Sequence, residues 1–270
     1  MMKKDFICID FVFVPREELF LRGFDASFLN ERGVFETMRS YDGSVFALDR
    51  HLRRLRKGCV LLKIPPPGKA ELEAAVLGLI KINHLKDARI RLTVIVRAGR
   101  LHVFVLASGI SPCARGYNVM VMHKPRRKAS VLSRVKLCRR DFCERLYQKA
   151  VTQGYQEALY LDPQGFVVEG ARTNVFVVIN GALWTPILTV GCLPGVTRSI
   201  VIEQACQAGL VVRQRKISVR DLARAQEVFL TNAVIGVMPV VKLDAQMVSS
   251  GKIGTITMRL KKRYEKLIRR

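Results

Sequence analysis

Apolar and polar residues alternate over 5–14 (DFICIDFVFV), the period-two pattern of a half-buried strand. A turn or loop is expected over 16–22. Strands are predicted over 35–39 and 45–47, joined by Tyr41-Asp42-Gly43, an Asp-Gly hairpin signal. The period then changes. Leu52, Leu55, Cys59 and Leu62 recur at three- and four-residue intervals and form one apolar stripe. That spacing predicts a helix over 50–62 with Asp49 as its cap. Pro65-Pro66-Pro67-Gly68 ends it, and a second amphipathic helix is predicted over 70–82. Strands over 88–96 and 101–107 follow, around Gly99.

Residues 108–117 (SGISPCARGY) have the Gly/Ser/Pro composition of a linker, which divides the chain into residues 1–112 and 118–270. Beyond it the pattern predicts a strand over 118–123, a basic loop, and a helix over 141–153. Further on come a helix over 197–208, a strand over 211–216, a short helix near 218–225, a strand over 227–230 and a basic C-terminal helix. The densest patterning lies at 165–198, GFVVEGARTNVFVVINGALWTPILTVGCLPGVTR. Apolar residues dominate 166–168, 175–179 and 183–188, with the hairpin dipeptide Asn180-Gly181 between the last two. Glu169 closes the first run, and LPGVTR reads as a tight turn opening a helix. A carboxylate followed by a helix N-terminus suits a ligand with one cationic and one phosphorylated end. The mixture of elements makes the fold class α+β, in two domains.

Composition narrows the picture. A hydrophobic fraction of 49% in 270 residues describes a globular chain with ample core. No apolar run approaches the roughly 20 residues of a membrane helix. Asp5 and Asp10 interrupt the N-terminal stretch, and no small-residue cleavage site follows it, so a signal peptide is not expected and the cytoplasm is. The seven cysteines include no CxxC pair and the four histidines are scattered, which favours buried free thiols over a metal site. The net charge of +24 is concentrated at 50–57, 124–140 and 252–270. It would suit a polyanion, but few aromatics interleave with the basic residues, so nucleic-acid stacking has little support and a generally basic surface is preferred. GxGxxG, Walker, HExxH and GxSxG patterns are all missing.

What chemistry remains is distributed: Arg54, Lys136, Glu169, Gly195–Thr197 and Asn232. Singly, each has an ordinary structural reading, as a solvated charge or a helix entry. Their surroundings change this. The blocks GVFETMR (33–39), RHLRRL (50–55), GYQEALYLDPQGFVVEGARTNVFVV (154–178), TPILTVGCLPGVTR (185–198) and AQEVFLTNAVIGVMPV (225–240), with Lys136 between the second and third, are similar in order and spacing to the class IV aminotransferases. These are enzymes of pyridoxal phosphate fold-type IV. The resemblance implies a D-amino acid aminotransferase-like architecture, with a smaller α/β domain over 1–112 and a larger domain over 118–270 that carries the cofactor lysine. It also implies a homodimer.

The resemblance assigns roles residue by residue. Lys136 matches the lysine that holds the cofactor as a Schiff base and moves protons. Its neighbours Arg134, Arg139 and Arg140 are expected to favour its neutral amine. Glu169 matches the carboxylate at the pyridine nitrogen, and Arg54 the phosphate-binding arginine. Val196 and Thr197 offer N–H groups and a hydroxyl to the phosphate. Asn232 and Ala233 complete the cup, Ala233 standing where many transaminases have threonine. Thr37, Arg91 and Arg140 fall on the substrate side, Thr37 as an assisting catalytic group. Branched-chain transaminases usually carry glycine at the position of Thr37 and Asn-Tyr after the lysine. Aminodeoxychorismate lyases carry threonine there, and Asn-Arg after the lysine, which Arg140 fits and Arg139 does not. Asn30-Glu31-Arg32-Gly33 departs from the usual Tyr-Gly-Asp-Gly. On balance the resemblance leans towards 4-amino-4-deoxychorismate lyase, forming 4-aminobenzoate and pyruvate. Amino-acid transamination with 2-oxoglutarate is the alternative, on a branched-chain or D-amino acid, and a polyanion-binding protein on the same scaffold is a remote one.

Overall fold

The computed structural model describes residues 5–21, 31–110, 114–123 and 129–269. Asn30, Cys113 with part of the predicted linker, and 124–128 of the basic loop lie outside the described residues. The chain forms two compact units, Met1–Pro112 with Val135–Arg140, and Cys113–Arg134 with Asp141–Arg270.

The first unit contains β1 (Phe6–Ile9), β2 (Val12–Pro15), a short α1 (Glu18–Leu21), β3 (Arg32–Tyr41), β4 (Ser44–Val45), α2 (Leu48–Leu61), α3 (Lys69–Ile82), β5 (Ala88–Arg97) and β6 (Arg100–Gly109). Its sheet runs β2-β1-β6-β5-β3-β4, with antiparallel neighbours throughout. The predicted strand over 5–14 is instead a hairpin. Asp10 and Phe11 adopt φ of 50° and 68°, and Ile9 pairs with Val12. A two-residue turn conserves the period of two, so alternation alone does not reveal it. The Asp10 carboxylate accepts from the Val103 N–H at 2.8 Å. Asp49 is not the cap of α2: Ala47 precedes the helix, and Asp49, inside the first turn, pairs with Arg53 at 2.5 Å and Lys69 at 2.7 Å. The stripe of α2 does form as the periodicity predicts. Leu52, Leu55 and Cys59 pack with Leu72, Val76 and Leu79 of α3 onto Val34, Met38, Ile90, Leu92 and Val94 of the sheet.

The segment carrying Lys136, expected with the C-terminal residues around it, belongs to this first unit. The Phe35 N–H donates to the Lys136 carbonyl and the Cys138 N–H to the Gly33 carbonyl, both at 2.9 Å. These bonds make 135–138 a short extra rung on β3. Val135 and Cys138 are buried among the apolar residues of the same unit. Backbone pairing and burial therefore decide its membership, and both are invisible in the basic sequence around it.

The second unit contains β7 (Tyr117–Met122), a 3₁₀ turn at Val131–Arg134, α4 (Asp141–Thr152), β8 (Glu157–Leu161), β9 (Val167–Gly170), β10 (Asn174–Ile179), β11 (Ala182–Pro186), α5 (Val196–Gln207), β12 (Val212–Arg215), α6 (Val219–Ala223), β13 (Glu227–Asn232), β14 (Gly236–Leu243), β15 (Gln246–Met247) and α7 (Thr255–Ile268). Its strand order is β12-β11-β10-β13-β14-β7-β8-β9, with β15 beside β14. Asn180 and Gly181 form the predicted hairpin turn at φ of 49° and 70°. β14 is a strand the pattern did not predict; Pro239 within the run argues against one. It pairs with β13 on one side and with β7 on the other only from Val240 onwards, beyond the proline. The Glu227 carboxylate caps α7, accepting from the N–H groups of Ile256 and Thr257 at 3.0 and 2.7 Å.

Among the described cysteines, Cys8, Cys59, Cys138, Cys143 and Cys192 are buried free thiols, as expected, whereas Cys206 on α5 is exposed. Among the described residues no helix is long and apolar enough to cross a membrane, and no group of three His, Cys, Asp or Glu side chains could hold a metal.

Candidate functional site

The predicted residues divide between the units. Thr37, Arg54, Arg91, Lys136 and Arg140 lie in the first, and Glu169, Val196, Thr197, Asn232 and Ala233 in the second.

In the first unit, alternation along β3 sorts the side chains. Val34, Glu36, Met38 and Ser40 face α2 and α3; Phe35 and Thr37 face the other way. Thr37 sits directly across from Arg91 on β5. The Phe35 ring is the centre of this second face: the Arg91 guanidinium lies 4.0 Å from its centroid, the Lys136 ammonium 4.7 Å and the Arg140 guanidinium 5.9 Å. The Arg91 Nε also donates to Thr93 Oγ1 at 3.2 Å. The structure thus gathers the lysine with Arg91 and Arg140 about Phe35, and sets Thr37 across from Arg91 on the neighbouring strand. Cys138, in the same cluster, stays a thiol: burial pushes it up to about 12, against the pull of Arg91.

On the α2 face, Arg54 reaches Glu36. Its Nε donates to Oε1 and its Nη2 to Oε2, both at 2.7 Å, a bidentate pair. His51, one turn earlier on α2, shares Oε2 through Nδ1 at 2.8 Å. Glu36 is wholly buried and His51 nearly so. Burial opposes ionisation of Glu36, but Arg54 and His51 outweigh it and hold the carboxyl down at about 2. Glu36 and His51 lie within the blocks GVFETMR and RHLRRL but carry no role that the resemblance implied. The available signal was a lone acid on the apolar face of a strand, and a histidine three residues before an arginine on one helix face.

In the second unit, Glu169 is buried on β9 rather than left at an exposed strand end. Tyr160, directly across on β8, donates its hydroxyl to Oε1 at 2.9 Å. Asn174 Nδ2 and the Leu193 N–H donate to Oε2 at 3.0 and 2.9 Å. The Asn174 amide also donates to the Leu193 carbonyl at 2.9 Å, tying the loop before α5 to β10. A Cβ at Gly195 would sit 2.0 Å from Asn174 Oδ1, so this approach requires glycine. Val196 and Thr197, both buried, open α5, whose first paired N–H is that of Ser199 to the Gly195 carbonyl. The N–H groups before it point out of the helix end. Arg198 braces the loop from below, donating to the Pro186 carbonyl at 2.9 Å and to Gln214 Oε1 at 3.0 Å. Tyr160, Asn174 and Arg198 were not singled out from the sequence, because Tyr160 meets Glu169 through strand register and Asn174 and Arg198 reach their partners only in the folded unit.

Asn232 does not present its side chain outward. Its Oδ1 accepts from the Val234 and Ile235 N–H groups, each at 2.9 Å, and Nδ2 donates to the Arg172 carbonyl at 3.2 Å. Its amide folds the turn on which half-buried Ala233 sits.

The family model for amino-transferase class IV matches residues 33–243. The chain belongs to the class IV aminotransferases. A Methanocaldococcus jannaschii protein provisionally named branched-chain-amino-acid aminotransferase is 33% identical over 94% of this chain and 93% of its own. The Pseudomonas aeruginosa branched-chain-amino-acid aminotransferase is 28% identical over 87% and 84%. Among solved structures, the Escherichia coli branched-chain amino acid aminotransferase matches with a TM-score of 0.90 at 27% identity, covering 98% of this chain and 95% of that one. The α+β, fold-type IV architecture is thereby established. The chain is a pyridoxal-phosphate-dependent enzyme of this family. Its donor set fits the cofactor: a buried carboxylate held by three hydrogen bonds, a glycine-opened helix of twelve residues, and a half-buried lysine.

Proposed function

We propose that this class IV aminotransferase moves the amino group of an amino acid, of the branched-chain kind, to a 2-oxo acid such as 2-oxoglutarate. The observation that supports the reading most is the gathering of Lys136, Arg91 and Arg140 about Phe35, with Thr37 across from Arg91. That face offers an amine beside guanidinium groups suited to substrate carboxylates. The relatives named above are branched-chain aminotransferases, and none of them favours the lyase reading first drawn from Thr37 and Arg140. The homodimer and a cytoplasmic setting belong to the same proposal.

When bound, pyridoxal phosphate supplies an electron sink for the pair left on the substrate Cα. Lys136 would hold the cofactor through its amine, and the same amine is placed to take a proton from the substrate Cα. Glu169, oriented by Tyr160, Asn174 and Leu193, keeps a proton on the ring nitrogen. In the second unit the N–H groups of Val196 and Thr197 at the start of α5 would receive the phosphate; in the first, Arg54 is read as the phosphate-binding arginine. Asn232 shapes the turn so that Ala233 can add a backbone donor. Arg91 and Arg140 bind substrate carboxylates, and Thr37 orients the group nearest Lys136.

The test is a substrate screen on cofactor-loaded protein. Leucine, isoleucine, valine and glutamate should each convert the cofactor to its amine form, read as loss of the visible band, and 2-oxoglutarate should restore it. Pyruvate release from aminodeoxychorismate, with no conversion by these amino acids, would displace the reading in favour of the lyase. Lys136→Ala should lack the visible band altogether.

A further inference from the structure

Arg54 faces a choice that a phosphate-binding arginine must settle. An arginine guanidinium has two edges that can hold an oxyanion with paired N–H groups, Nε with one Nη and Nη1 with Nη2, and a flexible side chain can offer either. Here Glu36 takes the edge formed by Nε and Nη2, with two bonds of 2.7 Å. His51 fixes the carboxylate in turn, at 2.8 Å on Oε2. The Glu36 and His51 side chains are 0% and 3% exposed and that of Arg54 is 14% exposed, so the pair is enclosed and only the guanidinium reaches the surface of the cluster.

We propose that the buried Glu36–His51 pair is a positioning device for Arg54, determining which edge of its guanidinium meets the phosphate of the cofactor. The inference rests on the reading of Arg54 as a phosphate ligand. A carboxylate beside such an arginine weakens its long-range attraction for an anion, so charge alone does not account for the arrangement. Orientation does. The bidentate pair locks the plane of the guanidinium, and Glu36 is itself restrained, its side chain fully buried and bonded to His51. Thr37 thus shares its strand with the residue that orients Arg54, and one strand carries a positioning group on each face.

The experiment compares two probes on the full-length chain stripped of cofactor: pyridoxal phosphate, and pyridoxal, which lacks the phosphate. Binding is read from the visible band of the lysine-bound form. Arg54→Gln is the reference and should lose most of the preference for the phosphorylated probe. Glu36→Gln should weaken pyridoxal phosphate about tenfold, the lower end of what outer-shell partners of metal ligands contribute. It should change pyridoxal less than about twofold. Equal weakening of both probes would mean that Glu36 only supports the fold, and would overturn the proposal. So would a Glu36→Gln protein that keeps the wild-type preference while Arg54→Gln loses it. A normal preference in Arg54→Gln would remove the underlying reading of Arg54 instead. If Glu36→Gln fails to fold, His51→Gln serves in its place, with a loss of preference of about threefold expected and an unchanged preference counting against the proposal.

Discussion

The ion pair at Glu36 makes a stability prediction that is independent of cofactor. In the folded chain the carboxyl lies at about 2, against an ordinary value of 4.5. A depressed carboxyl contributes stability that is present above its unfolded pKa and lost as pH falls towards the folded one. A lowering of that size corresponds to a few kcal/mol of stability, lost as pH falls from roughly 5 towards 2. Now replace Arg54 by Met. The variant keeps a similar apolar stem but leaves Glu36 buried with only His51 beside it, which costs about 3–5 kcal/mol near neutrality. With the guanidinium gone, burial dominates and raises the carboxyl above 4.5. A raised carboxyl has the opposite sign: its protonated form is favoured by folding, so the variant's deficit shrinks as pH falls. The two trends converge. Between pH 7 and pH 3 the gap between wild type and Arg54→Met should narrow by at least ~2 kcal/mol, from about 1.5 units of wild-type titration alone. Urea unfolding of the cofactor-free chain at several pH values, followed by circular dichroism, measures the gap. Exchange protection of the α2 and β3 amides localises it. A gap that stays constant from pH 7 to pH 3 would refute the reasoning, because it would mean that Arg54 contributes packing and not charge.

Other outcomes follow from the second unit and from the sheet face around Phe35. Tyr160→Phe removes a donor from buried Glu169 and should cost about 1–3 kcal/mol in thermal unfolding; a smaller loss would mean that Glu169 does not depend on that bond. Gly195→Ala drives a methyl against Asn174 and should cost about 1–3 kcal/mol together with cofactor affinity. Gly165→Ala, whose Cβ meets nothing within 4 Å, should cost only about 1–2 kcal/mol, for its φ of +83°, and leave cofactor binding intact. Arg91→Leu should raise the KM for 2-oxoglutarate by about 10- to 100-fold, as expected for a lost charged hydrogen bond. The KM for leucine should change far less; equal effects would remove Arg91 from carboxylate recognition.

Much of the fold was legible because its core obeys the two simple periods. The stripe of α2, the hairpin at Asn180-Gly181 and the paired strands around Glu169 all follow from spacing and turn chemistry. Three features did not. The Asp10-Phe11 turn kept the alternation in phase, so one strand and two strands looked alike. β14 hid behind Pro239, which is harmless because β7 joins it only beyond that residue. The lysine segment reads as a basic loop, yet two backbone bonds to β3 and the burial of Val135 and Cys138 tie it to the first unit. For β14 and the lysine segment the deciding contact is long-range, and for the Asp10-Phe11 turn it is a local change of backbone angle; the hydrophobic pattern carries no trace of either.

The site shows the same division at finer scale. The residues assigned charge towards a ligand, Arg54, Lys136 and Glu169, were named from the similar blocks, Arg54 and Glu169 within them and Lys136 between the second and third. The residues that aim those charges were not: Glu36 and His51 for Arg54, and Tyr160, Asn174 and the Leu193 N–H for Glu169. Aiming is a property of register and burial. Tyr160 meets Glu169 because β8 and β9 pair at that rung, and Glu36 meets Arg54 because α2 packs on the apolar face of β3. The same logic bears on the reaction. Thr37 and Arg140 were read by analogy as marks of a lyase, but what the structure places beside Lys136 is Arg91 and Arg140 about a single aromatic ring. On the proposed reading the guanidinium groups there would recognise carboxylates, which a transaminase's acidic acceptor and a lyase's dicarboxylate share. Identity at those positions therefore selects for acidic substrates without selecting the bond that breaks, and the amino-group-transfer screen is the measurement that separates the two.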